Sequence, residues 1–437
     1  VSIGAKALGG EGYRGQAFWD TEVYLLPFYV YTNPEAARSL LLYRYNRLDA
    51  ARAIGKENGL RGAQFPWNSA DTGQEESTEG AVQTIAGDKV PWYPETMLHV
   101  TGAVAYGVER YVRATADNTF LIEYGAEMLL ETARMWASRA AYNVEKDRYE
   151  LNNVVGPDEY HLYVDNNFYT NALARWNIRG ALSVLDELKE LDAAARQKLV
   201  RRLGISAEET EHWADVAEKL HMPVDPQTGV GEQFEGYFKL RDMRVTAYDE
   251  NNMPAWPDGF PLSELKDTQF IKQADVVMAM YLLDEEFDEE TIRRNYNYYL
   301  PRTVHKSTLS AGIYSIVALR LGEESEAYDC LIRTAEADLV DSQGSTWQGP
   351  HIASAGGTWQ AAVFGFAGMT VDADEVLAFR PRLPEVWRSM AFSVIWRGTR
   401  LSVHIARDGV SITRAAQPGF GRQDPILVRL NDEDVHV

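Results

Sequence analysis

The segment Gly156-Pro157-Asp158-Glu159-Tyr160-His161 contains the residue types that proton transfer requires. A Gly-Pro pair makes a rigid turn that aims the side chains following it. Two adjacent carboxyl groups beside a tyrosine and a histidine provide the means to raise the pKa of one of them, so that it stays protonated as a general acid. The alternative is an Asp-Glu pair that caps a loop end, and the motif by itself does not decide between the two.

Aromatic residues stand next to amides and acids in several predicted loops, as in Phe18-Trp19-Asp20, Phe65-Pro66-Trp67-Asn68-Ser69 and Trp347-Gln348. Rings of Trp and Tyr cover the C–H faces of sugars, while Asp, Asn and Gln bind hydroxyl groups. The alternative is that these rings are core residues at loop–helix junctions. That alternative does not explain why polar partners keep adjoining the rings, so the pattern favours a carbohydrate ligand.

Two other functional motifs are weak. Gly10-x-Gly12-x-x-Gly15 matches the dinucleotide fingerprint, but no buried strand precedes it and a helix follows where a second strand is required. A glycine-rich loop that enters a substrate cleft is the better interpretation. His305 and His351 suggest a metal, yet the sequence has no HExxH, CxxC or close histidine pair, so we predict no metal site.

The elements that must position these residues are mainly helical up to about residue 370. Apolar periodicity predicts about eleven helices, among them Pro34–Lys56, Leu262–Leu282 and Thr358–Met369. The loops between them alternate between short and long, and the long ones span 57–94, 144–166, 221–261 and 340–357. Long loops in a compact domain are usually functional.

After residue 372 the pattern changes to alternation with a period of two, which predicts a small antiparallel β domain. We therefore predict a helical catalytic domain over 1–370 and a C-terminal β domain over 371–437. Helix pairs with chemistry on alternate loops indicate an (α/α)6 barrel, or toroid. Such a barrel closes with twelve helices, so we expect the missing first helix to precede Val1.

Composition limits the possible partners and the compartment. The 437 residues carry a formal net charge of −21, which makes nucleic acid an improbable ligand, and an anionic ligand would need a locally positive site. No apolar run approaches the roughly 20 residues of a membrane span. The single Cys330 cannot form an internal disulfide, so we expect a cytoplasmic protein.

Several motifs along the whole chain together resemble glycoside hydrolase family 65, the maltose, kojibiose and trehalose phosphorylases. The motifs occur in this order: Gly9-Gly10-Glu11-Gly12-Tyr13-Arg14-Gly15, Phe18-Trp19-Asp20-Thr21-Glu22, Phe65-Pro66-Trp67, Gly156–Tyr160, Asn166–Asn171, Lys272–Val277 and Gly356-Gly357-Thr358-Trp359-Gln360. The resemblance implies an (α/α)6 barrel followed by a small β domain. Family members also carry an N-terminal β-sandwich that this sequence lacks, so we expect the native protein to be longer.

The resemblance also implies a reaction and its residues. The family cleaves an α-glucoside by phosphorolysis with inversion, which gives β-glucose 1-phosphate, and Glu159 matches the general acid. Inorganic phosphate is then a co-substrate, and no other cofactor is expected. Trp19, Asp20, Trp67, Lys272 and Gln273 are the implied sugar contacts. We expect the phosphate pocket where residues 305–310 and 351–357 meet, with these candidates: Ser307, His351, Gly356 and Gly357.

Three functions remain in competition. The first is the disaccharide phosphorylase, and a homodimer is a natural assembly for it. The second is an inverting hydrolase of the same family, of the trehalase or kojibiose hydrolase type, which requires a base carboxylate in the phosphate pocket. The third is a barrel that binds glycans without turnover. The acceptor sugar does not follow from the sequence, although we expect the loops Asn68–Glu79 and Phe238–Asp258 to select it.

Overall fold

The computed structural model describes residues 2–77, 80–83, 87, 89–414 and 425–437. The last two residues of the predicted acceptor loop Asn68–Glu79 therefore lie outside the described residues. The chain forms a helical domain followed by a smaller β domain. No helix in the described ranges is both long and apolar enough to cross a membrane.

Six helices form the inner ring of the helical domain. They are α1 (Leu26–Thr32), α4 (His99–Thr115), α7 (Phe168–Leu203), α9 (Val276–Leu282), α11 (Ala311–Leu321) and α13 (Ile352–Gln360). Each of the six contacts the next, and α13 contacts α1, which is the order of an (α/α)6 barrel. Helices α4 and α11 are buried on nearly all sides, as helices at the centre of a barrel must be.

In the described residues the outer helices are α2 (Pro34–Tyr45), α6 (Ala126–Arg139), α8 (Ala207–Lys219), α10 (Glu289–Tyr299) and α12 (Glu324–Ala335). Two shorter helices accompany them: α3 (Leu48–Glu57) follows α2, and α5 (Asn118–Phe120) precedes α6. Four of these outer helices, α2, α6, α10 and α12, each pack against two neighbouring inner helices, while α8 packs against α7 and α6. Polar side chains fix where several of these helices begin, because an Ncap oxygen satisfies a free N–H of the first turn. Asn33, Ser206 and Asp288 act in this way.

The ring closes where the last inner helix, α13, meets the start of the helical domain. There a π-helical turn at Thr21–Leu25 leads directly into α1. The Gln360 side-chain amide donates hydrogen bonds to the carbonyl oxygens of Val23 (3.0 Å) and Tyr24 (2.8 Å). A Cβ on Gly356 would lie 2.4 Å from the Tyr24 oxygen, so glycine is required for this approach. The two ends of the helical domain are thereby joined.

Two of the helices predicted from sequence are interrupted in the structure. The helix predicted over Pro34–Lys56 is broken between Tyr45 and Leu48. The one predicted over Leu262–Leu282 is divided into a 3-10 helix at Leu262–Asp267 and the short α9, because the segment between them is extended. There, Ile271 exchanges backbone hydrogen bonds with Arg302 and Val304.

The C-terminal domain contains two sheets. The first is antiparallel and is formed by β7 (Ser389–Trp396), β8 (Thr399–Ala406) and β9 (Gly409–Arg414). The second is mixed, since β10 (Leu427–Leu430) pairs parallel to β6 (Leu377–Phe379) and antiparallel to β11 (Glu433–His436), while β5 (Met369–Val371) pairs with β6. The prediction of a purely antiparallel domain is therefore wrong for the second sheet, whose strands come from distant parts of the domain.

Four further strands form two hairpins in the loops of the helical domain. β1 (Gly80–Gln83) pairs with β2 (Lys89–Trp92), and β3 (Ala141–Asn143) pairs with β4 (Arg148–Glu150). These hairpins belong to the loops that precede α4 and α7. The long loops predicted from sequence thus have some secondary structure of their own.

Candidate active site

Two cavities meet at the end of the barrel where the inner helices begin. The inner cavity has a volume of about 270 Å³, and the outer cavity one of about 1140 Å³. The residues that line both are Tyr13, Phe18, Trp67, Glu159, Lys272 and Lys306. The candidate acid therefore stands at the boundary between a compartment of monosaccharide size and a wider one that opens outward.

Eight of the ten predicted site residues line the inner cavity. They come from six separate loops, each of which precedes an inner helix: Trp19, Asp20, Trp67, Glu159, Lys272, Gln273, Ser307 and His351. The barrel topology alone explains this convergence, because it gathers the N-terminal ends of all six inner helices at one end.

The loop that carries Glu159 is fixed from below by Asp158. The Asp158 side chain is 1% exposed, and its Oδ1 accepts the backbone N–H of Lys272 at 2.7 Å. Its Oδ2 lies 2.7 Å from His161 Nδ1 and accepts the Gln233 amide at 2.9 Å. Asp158 is therefore a brace of the loop that carries Glu159.

Glu159 itself forms an ion pair across the cavity boundary. Its Oε2 lies 2.8 Å from Lys272 Nζ, and about a third of the Glu159 side chain is exposed. Burial lowers the pKa of Lys272, but the raising influences of Glu159, Tyr13 and Asp158 together outweigh it, so the net shift is upward. Gln273, the neighbour of Lys272, donates its amide to the Pro157 carbonyl oxygen at 2.6 Å and so ties the two loops together.

Burial also perturbs two nearby carboxyl groups. It raises the pKa of Asp20, in the inner cavity, to about 7, and the neighbouring Glu22 and Glu159 carboxylates act in the same direction. It raises the pKa of Asp275, beneath the cavity, to about 7, with a further contribution from Asp158. Asp275 accepts hydrogen bonds from the Asn167 side chain at 3.1 and 3.2 Å.

Aromatic side chains form one wall of both cavities. Trp67 packs edge-on against Phe18, with ring centroids 5.3 Å apart, and Phe18 packs in the same way against Tyr13 at 4.9 Å. Trp19 is 1% exposed and packs against His99, so most of its ring belongs to the core. Trp67 is therefore the better placed of the two predicted tryptophans to cover a sugar face.

Positive side chains outnumber negative ones on the lining of the inner cavity, although the chain as a whole is strongly acidic. Three lysines line it, against two carboxylates: Lys6, Lys272 and Lys306 against Asp20 and Glu159. Ser307 and His351 lie on the same lining. This is the local surplus of positive charge that an anionic ligand requires in an acidic protein.

Gly356 and Gly357 do not line the cavity. Helix α13 begins at Ile352, not at Thr358 as predicted, so both glycines lie inside the helix and are buried. The structure therefore corrects their predicted position at a helix start and gives no support to their role as phosphate ligands. Their small size serves the packing of α13 against the start of the ring and against α12, where Gly357 faces Thr334.

Sequence analysis missed Lys6 and Asp338. Lys6 lines the inner cavity and is 3% exposed, and Asp338 holds His351. A signal for Lys6 was present, since it is the one charged residue among the first ten. No comparable signal marks Asp338, which becomes relevant only through a contact across 13 residues.

Other possible sites contribute little. A further cavity of about 570 Å³ lies at the opposite end of the barrel, lined among others by Arg110, Tyr281 and Asp372, and it contains none of the predicted residues. Within the described ranges, no group of three or more His, Cys, Asp or Glu side chains is placed to hold a metal. His305 is buried and donates to or accepts from Ser310 Oγ at 2.8 Å, as a core histidine does.

Comparison with known proteins now assigns the family. Residues 1–360 match the model of the glycosyl hydrolase family 65 central catalytic domain, and residues 369–437 match that of the family's C-terminal domain. The chain belongs to glycosyl hydrolase family 65. The fold is similar to that of a solved structure, a candidate kojibiose phosphorylase from the human microbiome, with a TM-score of 0.86. The two sequences are 31% identical, and the match covers 100% of this chain and 61% of the solved one.

Curated members of family 65 share much of this sequence. The kojibiose phosphorylase of Caldanaerobacter subterraneus subsp. tengcongensis is 50% identical over 95% of this chain and 54% of its own length. That of Thermoanaerobacter brockii is 48% identical over 96% of this chain and 54% of its own. The α,α-trehalose phosphorylase of T. brockii is 37% identical over 94% and 51%. The chain thus spans about half the length of these relatives.

Proposed function

We propose that this chain carries the catalytic centre of an inverting phosphorylase that acts on an α-glucoside. The observation that carries the proposal is the position of Glu159 between the two cavities, on an inner lining that also contains three lysines. An inverting hydrolase needs a second carboxylate that activates water on the far face of the sugar. In the described part of the lining, Asp20 is the one carboxylate besides Glu159.

The reaction follows from this division of the site. The glucosyl group occupies the inner cavity and the acceptor sugar the outer one. Glu159 donates its proton to the glycosidic oxygen as the bond from that oxygen to C1 breaks, and the acceptor leaves as an alcohol. A phosphate oxygen attacks C1 from the opposite face, which gives β-glucose 1-phosphate and leaves Glu159 as a carboxylate to be reprotonated.

The surrounding residues bind and orient the substrates. Trp67 covers one face of the sugar, and Asp20 accepts hydroxyl hydrogen bonds in the inner cavity beside Trp19. Lys272 holds the Glu159 carboxylate at 2.8 Å and exchanges that contact for a sugar hydroxyl when Glu159 carries its proton. Gln273 fixes this arrangement through its contact with Pro157.

Kojibiose, in which two glucose units are joined by an α-1,2 linkage, is the first substrate to test. The support is the identity of 50% and 48% with two kojibiose phosphorylases, against 37% with a trehalose phosphorylase. The outer cavity, with walls from residues 90–92 and 262–267, is the place where the linkage is selected.

The decisive experiment incubates the protein with kojibiose, with and without inorganic phosphate, and follows the first product by proton NMR. We expect β-glucose 1-phosphate, formed only with phosphate. Glu159→Gln should lower turnover by about 10²–10⁴-fold, the usual contribution of a general acid, while sugar binding persists. Glu145→Gln, which changes an exposed glutamate that lines neither cavity, is the matched control.

Other outcomes would favour the competing functions. Free glucose released at an equal rate without phosphate would indicate a hydrolase with Asp20 as its base. Binding of kojibiose without turnover would indicate a glycan-binding barrel. The proposal has three further parts. The reaction needs no cofactor besides phosphate, which a chelator control tests. The protein is a homodimer, which sedimentation tests, and it is cytoplasmic, which cell fractionation tests.

A further inference from the structure

Three side chains form a connected chain that ends in the inner cavity. Asp338 Oδ1 lies 2.5 Å from His351 Nδ1, and Asp338 Oδ2 accepts the backbone N–H of His351 at 2.8 Å. On the other side of the ring, His351 Nε2 lies 2.5 Å from Lys6 Nζ. Ser345 Oγ is also within reach of Nε2, at 3.1 Å.

These contacts fix the tautomer of His351. A carboxylate only accepts hydrogen bonds, so the ring nitrogen facing Asp338, Nδ1, must carry the hydrogen. A lysine ammonium only donates, so the nitrogen facing Lys6, Nε2, must offer its lone pair. The ring therefore presents an acceptor, not a donor, to Lys6 on the cavity lining.

Lys6 has no counter-ion of its own in the described part of the chain. Its side chain is 3% exposed, and the described residues place no carboxylate within ion-pair distance of Nζ. Burial lowers the pKa of Lys6, against the raising influence of Asp338, Asp341 and Asp20. A buried ammonium whose partner is a neutral ring is costly unless a ligand anion completes the site.

We propose that this site selects an oxyanion that still carries one proton, such as monohydrogen phosphate, over a fully ionised one. When the anion binds, Lys6 turns from His351 Nε2 to an unprotonated oxygen of the anion, and the single P–O–H group donates to Nε2 in its place. Asp338 is a positioning residue, because it holds the hydrogen on Nδ1 and so keeps Nε2 an acceptor. The inference rests on the proposed function only in taking phosphate as the natural anion.

Sulfate is the informative comparison. It has the size and charge of monohydrogen phosphate but no hydrogen to donate, so its oxygen would face the lone pair of Nε2. Arsenate carries the hydrogen and should behave like phosphate. With sulfate, a hydrogen bond to a charged group is replaced by a repulsive contact. We therefore expect the affinity for sulfate to be about ten- to a hundredfold lower than that for phosphate.

The experiment measures binding of phosphate, arsenate and sulfate to the whole chain by calorimetry, in a buffer without oxyanions and at a pH where phosphate is mainly the dianion. We expect phosphate and arsenate to bind at least about tenfold more tightly than sulfate. Asp338→Asn should bring the three affinities to within about threefold of one another. If the amide oxygen keeps the backbone N–H of His351, its NH₂ group faces Nδ1 in place of Oδ1, and as a donor it favours the tautomer with the hydrogen on Nε2.

Two further variants separate this role from a general effect on folding or charge. Lys6→Met should weaken all three anions by a similar factor and keep their ratio. Glu336→Gln removes an exposed negative charge two residues from Asp338 and should leave the ratio unchanged. Equal binding of sulfate and phosphate by the unchanged protein, or an unchanged ratio in Asp338→Asn, would overturn the inference. Discrimination without phosphorolysis would refute the proposed function and leave the inference intact.

Discussion

Replacing the buried Asp158 carboxylate tests how the catalytic loop is held. Its two oxygens accept the backbone N–H groups of Lys272 (2.7 Å) and Tyr160 (3.3 Å) and the side chains of His161 (2.7 Å) and Gln233 (2.9 Å). Asp158→Ala leaves four donors without this acceptor. At about 1 kcal/mol each, the lower end of the usual cost because water can enter the space, the free energy of unfolding should fall by about 4 kcal/mol.

Asparagine at the same position should cost much less, about 1 kcal/mol. Its oxygen can accept both backbone N–H groups, and its NH₂ group can donate to the other two partners after they adjust. The Gln233 Oε1 atom is buried without a partner, so rotation of that amide offers an acceptor. His161 can present a lone pair at Nδ1 and keep its hydrogen on Nε2, which faces the Thr268 carbonyl oxygen at 2.9 Å.

Urea unfolding, followed by tryptophan fluorescence, measures the free energy of unfolding of both variants. The values are compared only if the dependence on urea concentration has the same slope in both. The reasoning is refuted if asparagine destabilises as much as alanine, or if alanine costs less than about 1 kcal/mol. Either result would mean that the Asp158 contacts do not hold the loop in solution. The Glu336→Gln variant serves again as a control for the loss of one negative charge.

Three further changes probe other parts of the site. Gly10→Ala would place a Cβ 2.3 Å from the Lys6 carbonyl oxygen and so displace Lys6. The affinity for phosphate should therefore fall at least about tenfold, while that for kojibiose changes little. A phosphate affinity equal to that of the unchanged protein, measured by calorimetry, would contradict this. His351→Ala should raise the KM for phosphate by about ten- to a hundredfold and that for the disaccharide much less; the opposite pattern would assign His351 to the sugar. Burial raises the pKa of Asp275 from 3.8 to about 7, so its contribution to stability is present at low pH and is lost as the pH rises through that range. Asp275→Asn should therefore flatten the fall in unfolding free energy over this range, and an unchanged slope would disprove it.

The sequence marks the glycine-rich segment as unusual but does not reveal why glycine is needed there. The sequence excluded a dinucleotide fold for Gly10, Gly12 and Gly15. The structure shows why glycine is needed: a Cβ on Gly10 would meet the Gln348 carbonyl oxygen at 2.9 Å, and one on Gly349 would meet Gly10 Cα at 2.6 Å. The two loops that bring Lys6 and His351 together therefore touch backbone to backbone.

Sequence alone determined the class of fold and most of the chemistry. The apolar periodicity gave the helical domain and the change to β structure near residue 370, because both depend on local spacing between buried side chains. The ordered motifs also identified eight residues that the structure brings to one cavity, among them Glu159 and Lys272. Motif residues are readable in this way because their types reflect the ligand they face.

Only the tertiary structure decided how those residues work together. The extended conformation that presents Lys272 comes from backbone pairing with residues about 30 positions away, which overrides a helical pattern. The start of α13 at Ile352 moved two glycines from the predicted anion site into the core. The direction of the His351 lone pair depends on Asp338 and Lys6, at sequence separations of 13 and 345. Hydrogen-bond direction is a property of pairs in space, and local sequence does not contain it.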